Sequence, residues 1–96
     1  MFEAQIAPIK GRLKAAGVRR LGIFGSYSRG EAGPASDIDV LVSFEPKSHT
    51  YDNLFDVGEA LEEAFHRKVD LVTEEGLSPY IGPDILREVK YVDLSA

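Results

Sequence analysis

Gly25-Ser26-Tyr27-Ser28-Arg29-Gly30 and, a few residues on, Ser36-Asp37-Ile38-Asp39-Val40-Leu41-Val42 are the stretch on which the fold turns. Val18-Arg19-Arg20-Leu21-Gly22-Ile23-Phe24 leads into it and has the composition of a strand that ends at Gly25. Ser26 can cap a short helix over Tyr27–Glu31. Ala32-Gly33-Pro34-Ala35-Ser36 is a loop by composition. A second strand is expected from Asp37 to Phe44, with Ile38, Val40, Val42 and Phe44 sharing one face.

That alternation places Asp37 and Asp39 together on the other face, their Cα atoms about 7 Å apart. Two carboxylates side by side repel, and burying either one unpaired is costly. An apolar strand that opens with both calls for a cation, and Mg²⁺ takes oxygen ligands and shares its shell with phosphates. Asp70 repeats the pattern in Lys68-Val69-Asp70-Leu71-Val72-Thr73, an expected third strand. If that strand lies beside the second, Asp70 reaches the same site as a metal ligand or as the base for an attacking hydroxyl. The plainer alternative is a sheet-edge charge paired with Arg67 or Lys68. Gly25 lets backbone approach a ligand closely, and a helix starting at Ser26 would offer free N–H groups to an anion. Arg29 has two readings, a contact to a triphosphate or an ion pair with Asp37 or Glu31. Amide donors for phosphates next to carboxylates for their metal ions are the equipment of nucleotidyl transfer.

The flanks supply the rest of an α/β domain. Phe2, Ile6, Ile9 and Leu13 form one stripe of a helix over residues 3–16, with Pro8 awkward inside it and Gly17 as its stop. Glu45–Thr50 is a polar loop. A helix over Tyr51–Phe65 buries Leu54, Val57, Leu61 and Phe65 and turns Glu59, Glu62 and Glu63 to water. Leu77–Tyr80 is a turn or helical fragment. Pro83 then opens a helix over residues 83–90 anchored by Ile85, Leu86 and Val89. Alternating helices and strands imply a small sheet covered by helices, in a single domain over residues 1–96. Tyr80 and Tyr91 are candidates for packing or for a partner interface, with packing the expectation. His49 in its loop and His66 at a helix end carry no constellation for nucleophilic hydrolysis.

Composition narrows the function. Cysteine is absent, which removes disulfides, thiolate metal sites and thiol nucleophiles and agrees with a cytoplasmic protein. No apolar run is long enough for a membrane span, and Met1-Phe2-Glu3-Ala4-Gln5 does not resemble a signal peptide. The net charge of −5 argues against direct nucleic-acid binding and for a protein partner with a basic face. Arg19-Arg20 and Arg67-Lys68 are expected as solvated strand flanks.

Gly25-Ser26, the aspartates Asp37 and Asp39, the later Asp70 and the ending KVDLVTEEGLSPYIGPDILREVKYV together resemble the DNA polymerase beta-type nucleotidyltransferase superfamily, and within it the minimal nucleotidyltransferases. The resemblance covers nearly the whole chain. It implies a mixed-sheet catalytic core without extra domains. Gly25 and Ser26 would bind nucleotide phosphates, and Asp37, Asp39 and Asp70 would hold Mg²⁺. Members of this branch act as antitoxins of HEPN-family ribonuclease toxins, with which they form hetero-oligomers. Some are implied to transfer AMP from ATP to a tyrosine of that toxin. The rival expectation is an antitoxin that works by occlusion alone. A small-molecule acceptor such as an aminoglycoside would usually call for a second domain.

Overall fold

The computed structural model describes residues 3–25, 30, 33 and 37–94. Four strands form one sheet in the order β3-β2-β1-β4: β1 Val18–Phe24, β2 Ile38–Phe44, β3 Val69–Thr73 and β4 Lys90–Val92. β1 is antiparallel to β2 and to β4, whereas β2 and β3 run parallel. The sheet is therefore mixed. The parallel pair needs a crossover, which α3, Tyr51–Phe65, supplies.

Side-chain alternation divides the sheet into two unlike faces. Leu21 and Ile23 of β1 and Ile38, Val40 and Val42 of β2 are fully buried. They join Val69 and Val92 in one core with Ile6, Ile9 and Leu13 of the N-terminal segment and Val57, Ala60 and Leu61 of α3. Burying such side chains contributes roughly 1.5–3 kcal/mol each and holds the helices on this face. The opposite face carries Gly22 and Phe24, Asp39, Leu41 and Ser43, then Asp70 and Val72.

The N-terminal helix is broken as Pro8 requires. α1, Glu3–Ile6, passes through a 3-10 turn, Ala7–Ile9, into α2, Lys10–Ala15. Pro8 has no N–H for a helical ladder, and the tighter turn absorbs it while Ile6, Ile9 and Leu13 stay buried. α3 matches its expected span. Thr50 caps its start by accepting from the Asn53 amide at 3.2 Å. His66 ends it in the left-handed region, at φ 55°.

The C-terminal segment departs from expectation. α4 spans Gly82–Glu88, and Lys90–Val92 is a fourth strand rather than the end of a helix. A partner edge on β1 outweighs helical continuation there, and Val92 enters the core as the register neighbour of Leu21. Ile85 and Val89 are half-buried, but Leu86 is exposed and anchors nothing. Tyr80, expected to pack, is 88% exposed. Tyr91 is half-exposed on the Gly22 side of the sheet, with the Arg20 guanidinium 5.3 Å above its ring. Arg20 is also not simply solvated, since it donates to both Glu74 carboxylate oxygens at 2.7 and 2.9 Å. Glu62 and Glu63 likewise have partners, the Val69 amide and Arg12. Among the described residues, no helix is long and apolar enough to cross a membrane.

Candidate active site

Asp39 stands where three chain segments meet. It is the register partner of Phe24 on β1 and of Asp70 on β3. Directly paired residues in neighbouring strands project from the same face, with backbones about 4.8 Å apart. The carboxylates of Asp39 and Asp70 therefore share one surface. Phe24 runs into Gly25, so the glycine turn lies against this pair.

Gly25 is bound to Asp39 by shape. Its φ is +73°, a region that side chains make costly. A Cβ there would collide with an Asp39 carboxylate oxygen. Only glycine leaves room for the end of β1 to turn this close to the aspartate. The Gly25 N–H donates to the Glu88 carboxylate at the last residue of α4, at 3.0 Å.

Asp37 lies just ahead of β2, which starts at Ile38, one residue later than expected. The Ile38 amide donates to the Lys68 carbonyl at 3.0 Å, so the start of β2 is clamped to the segment entering β3. Asp37 and Asp70 are exposed and Asp39 is half-buried. Among the described residues, Asp70 forms no ion pair with Arg67 or Lys68. Arg67 donates instead to the Gly33 carbonyl at 3.3 Å. Ser26 and Arg29, and the short helix expected over Tyr27–Glu31, fall outside the described residues.

The donor set suits a hard cation. It is all carboxylate, and two members come from adjacent strands in register. Among the described residues, no three acidic or histidine side chains are drawn together into a metal cage. Mg²⁺ does not need one, because it keeps waters and completes its shell with substrate phosphates around one or two carboxylates.

Comparison with known proteins gives this site its setting. A family model described as a nucleotidyltransferase domain matches residues 6–92. The chain belongs to the nucleotidyltransferase family. It is 45% identical over 76 residues to the protein adenylyltransferase MntA of Thermococcus cleftensis, covering 79% of this chain and 76% of that one. A solved structure assigned provisionally as a minimal nucleotidyltransferase superposes with a TM-score of 0.74 at 33% identity, covering 94% of this chain and 95% of the other. The chain thus lies in the minimal branch of the family, and its chemistry is nucleotidyl transfer. The MNT antitoxin complex with tri-AMPylated HEPN toxin from Shewanella oneidensis superposes with a TM-score of 0.65 at 22% identity, over 95% of this chain and 71% of that one. At that identity the likeness is one of fold.

Sequence reasoning did not single out Glu88. The signal was present, because an acid at the C-terminal end of a short helix opposes the helix dipole and asks for another reason to be there.

Proposed function

We propose that this chain is a Mg²⁺-dependent protein adenylyltransferase and an antitoxin. It would transfer AMP from ATP to a hydroxyl, most simply a tyrosine, of a HEPN-family ribonuclease toxin and so silence it. The reading rests on one juxtaposition: Asp39 in register with Asp70 on one side and with Phe24, the residue before the Gly25 turn, on the other. The name of the Thermococcus relative supports protein as the acceptor class. The toxin complex of like fold supports the kind of partner.

In this reading Gly25 and Ser26 receive the ATP phosphates and Arg29 adds a contact to them. Asp37 and Asp39, with Asp70, hold Mg²⁺. Bound Mg²⁺ supplies charge neutralisation at the phosphates and at the departing pyrophosphate. Asp70, on the edge strand and open to solvent, accepts the proton from the incoming hydroxyl. The hydroxyl oxygen forms a bond to the α-phosphorus, the α–β phosphoanhydride bond breaks, and pyrophosphate leaves with the electron pair. The exposed carboxylates leave the acceptor side open, so the partner completes it. The chain acts as one catalytic domain in a cytoplasmic hetero-oligomer.

The test is incubation with ATP, Mg²⁺ and the product of the neighbouring gene, read by intact mass. One or more added adenylyl units on the partner are expected. No gain with any nucleotide overturns the proposal. If Asp37→Asn/Asp39→Asn still neutralises the toxin fully, inhibition is by occlusion.

A further inference from the structure

One stripe of α3 carries large apolar side chains into water. Tyr51 is 90% exposed and Phe55, one helical turn on, is 65% exposed. With Gly58 they border an open groove of about 320 Å³ that runs between α3 and β3. Positions i, i+4 and i+7 share a helix face, so the stripe follows from the sequence. Leu54 and Leu71 line the groove, and both also pack against the core.

Gly58 is poorly explained by the fold itself. It lies inside the helix Tyr51–Phe65, where glycine is less favourable than alanine. Its φ is not in the left-handed region. Among the described residues, a Cβ on Gly58 would meet no atom within 4 Å, so no close approach within the chain requires glycine. What the missing side chain does leave is depth in the groove.

The charge of the helix selects the occupant. α3 contains Asp52, Asp56, Glu59, Glu62 and Glu63 and no lysine or arginine, a charge of −5 that equals the net charge of the whole chain. Glu63 pairs with Arg12 of α2, while Glu59 and Glu62 border the groove. A second copy docked face to face would set acids against acids. Anionic lipid headgroups and nucleic-acid phosphates would be repelled too. A protein segment whose apolar side chains are flanked by lysine or arginine matches both the lining and the rim.

We infer that the groove between α3 and β3 is the docking surface for a basic, apolar segment of the protein acceptor. The inference deepens the function proposed above and rests on it for the existence of such an acceptor. The groove also lies near the carboxylates. β3 is an edge strand, and Leu71 directly follows Asp70. Consecutive strand residues leave opposite faces, so a partner seated on α3 passes round the open edge of β3 to reach Asp70.

The probe is the purified product of the neighbouring gene, with binding measured by calorimetry and transfer by intact mass. Phe55→Ala is expected to weaken binding about tenfold at nearly unchanged Tm, because the ring is mostly in water. Gly58→Gln should raise Tm by about 4 °C through better helix propensity and yet weaken binding about tenfold by filling the groove. Glu59→Gln should weaken it by about threefold, as should high salt acting on the wild type. In transfer assays KM for the acceptor should rise in all three variants, and KM for ATP should hold. Unchanged affinity in Phe55→Ala and Gly58→Gln overturns the inference, and so does affinity that does not fall with salt. A chain that dimerises alone, or binds phosphatidylserine vesicles, and loses that property in Phe55→Ala assigns the groove to another occupant and overturns it as well. If the wild type binds the product but transfers no AMP, the transfer reading fails while the affinities of the variants decide the surface. If the wild type does not bind the product, both fail.

Discussion

On the helix-covered face of the sheet, Leu21, Ile23, Ile38, Val40 and Val42 are sealed from water. On the reverse face the same strands carry Asp39 and Asp70 side by side, with Asp37 in open solvent just ahead of β2. The contrast is built at single-residue spacing. Asp39 lies between Ile38 and Val40, both fully buried, and points the other way. One face removes most of the apolar area from water, though Phe24 and Leu41 are buried on the other as well. The other brings Asp39 and Asp70 together in register. The backbone beneath that pair is fixed by the packing on the far side.

The separation of the two faces can be challenged directly. The largest expected effect is on transfer. Asp37→Asn/Asp39→Asn should lower the rate by about a thousandfold, about 4 kcal/mol, through loss of the carboxylates proposed to hold the metal. Its Tm without nucleotide should stay about equal, since neither side chain belongs to the apolar core. A fall in Tm would mean that the aspartates also support the fold. Leu21→Ala should do the reverse. It should lose about 3 kcal/mol of stability in urea unfolding while ATP affinity per folded molecule holds. Loss of ATP binding in fully folded Leu21→Ala would break the division between the faces.

Gly25→Ala tests the seam between them. A side chain at φ +73° would be strained and would push on the Asp39 carboxylate. It should cost about 2 kcal/mol of stability and weaken ATP binding as well, so it should register in both assays. The smallest effect is expected away from both faces. Arg12 donates to Glu63 at 2.8 Å, with both side chains more than half exposed. The hydrogen bond to Glu63, and then its charge, raise the Arg12 pKa. An exposed pair of this kind is nonetheless screened by solvent and salt. Arg12→Ala should leave Tm and transfer within experimental scatter.

Much of this was written in the chain. Alternation in Ile38–Phe44 fixes which side chains face the core. Gly25 and the spacing of Asp37 and Asp39 are the signals on which the proposed chemistry rests, and Tyr51–Phe65 shows its helical period openly. Residues 90–92 were not legible as a strand, because three residues carry too little pattern and the partner strand β1 lies far earlier in the chain. Tyr80 departs from the packing expectation for a related reason: aromatic character favours burial on average, but none of the described residues covers that turn.

Local sequence determined β1, β2 and β3, the long helix, the acidic positions and the glycine that must follow β1, because these depend on periodicity and on backbone sterics within a few residues. Tertiary structure alone decided that β3 runs parallel to β2 in the register that sets Asp70 beside Asp39, and that Glu88 reaches the Gly25 amide. Those contacts join segments far apart in the chain. Their pairing is selected by burial of the whole core, which no local pattern encodes.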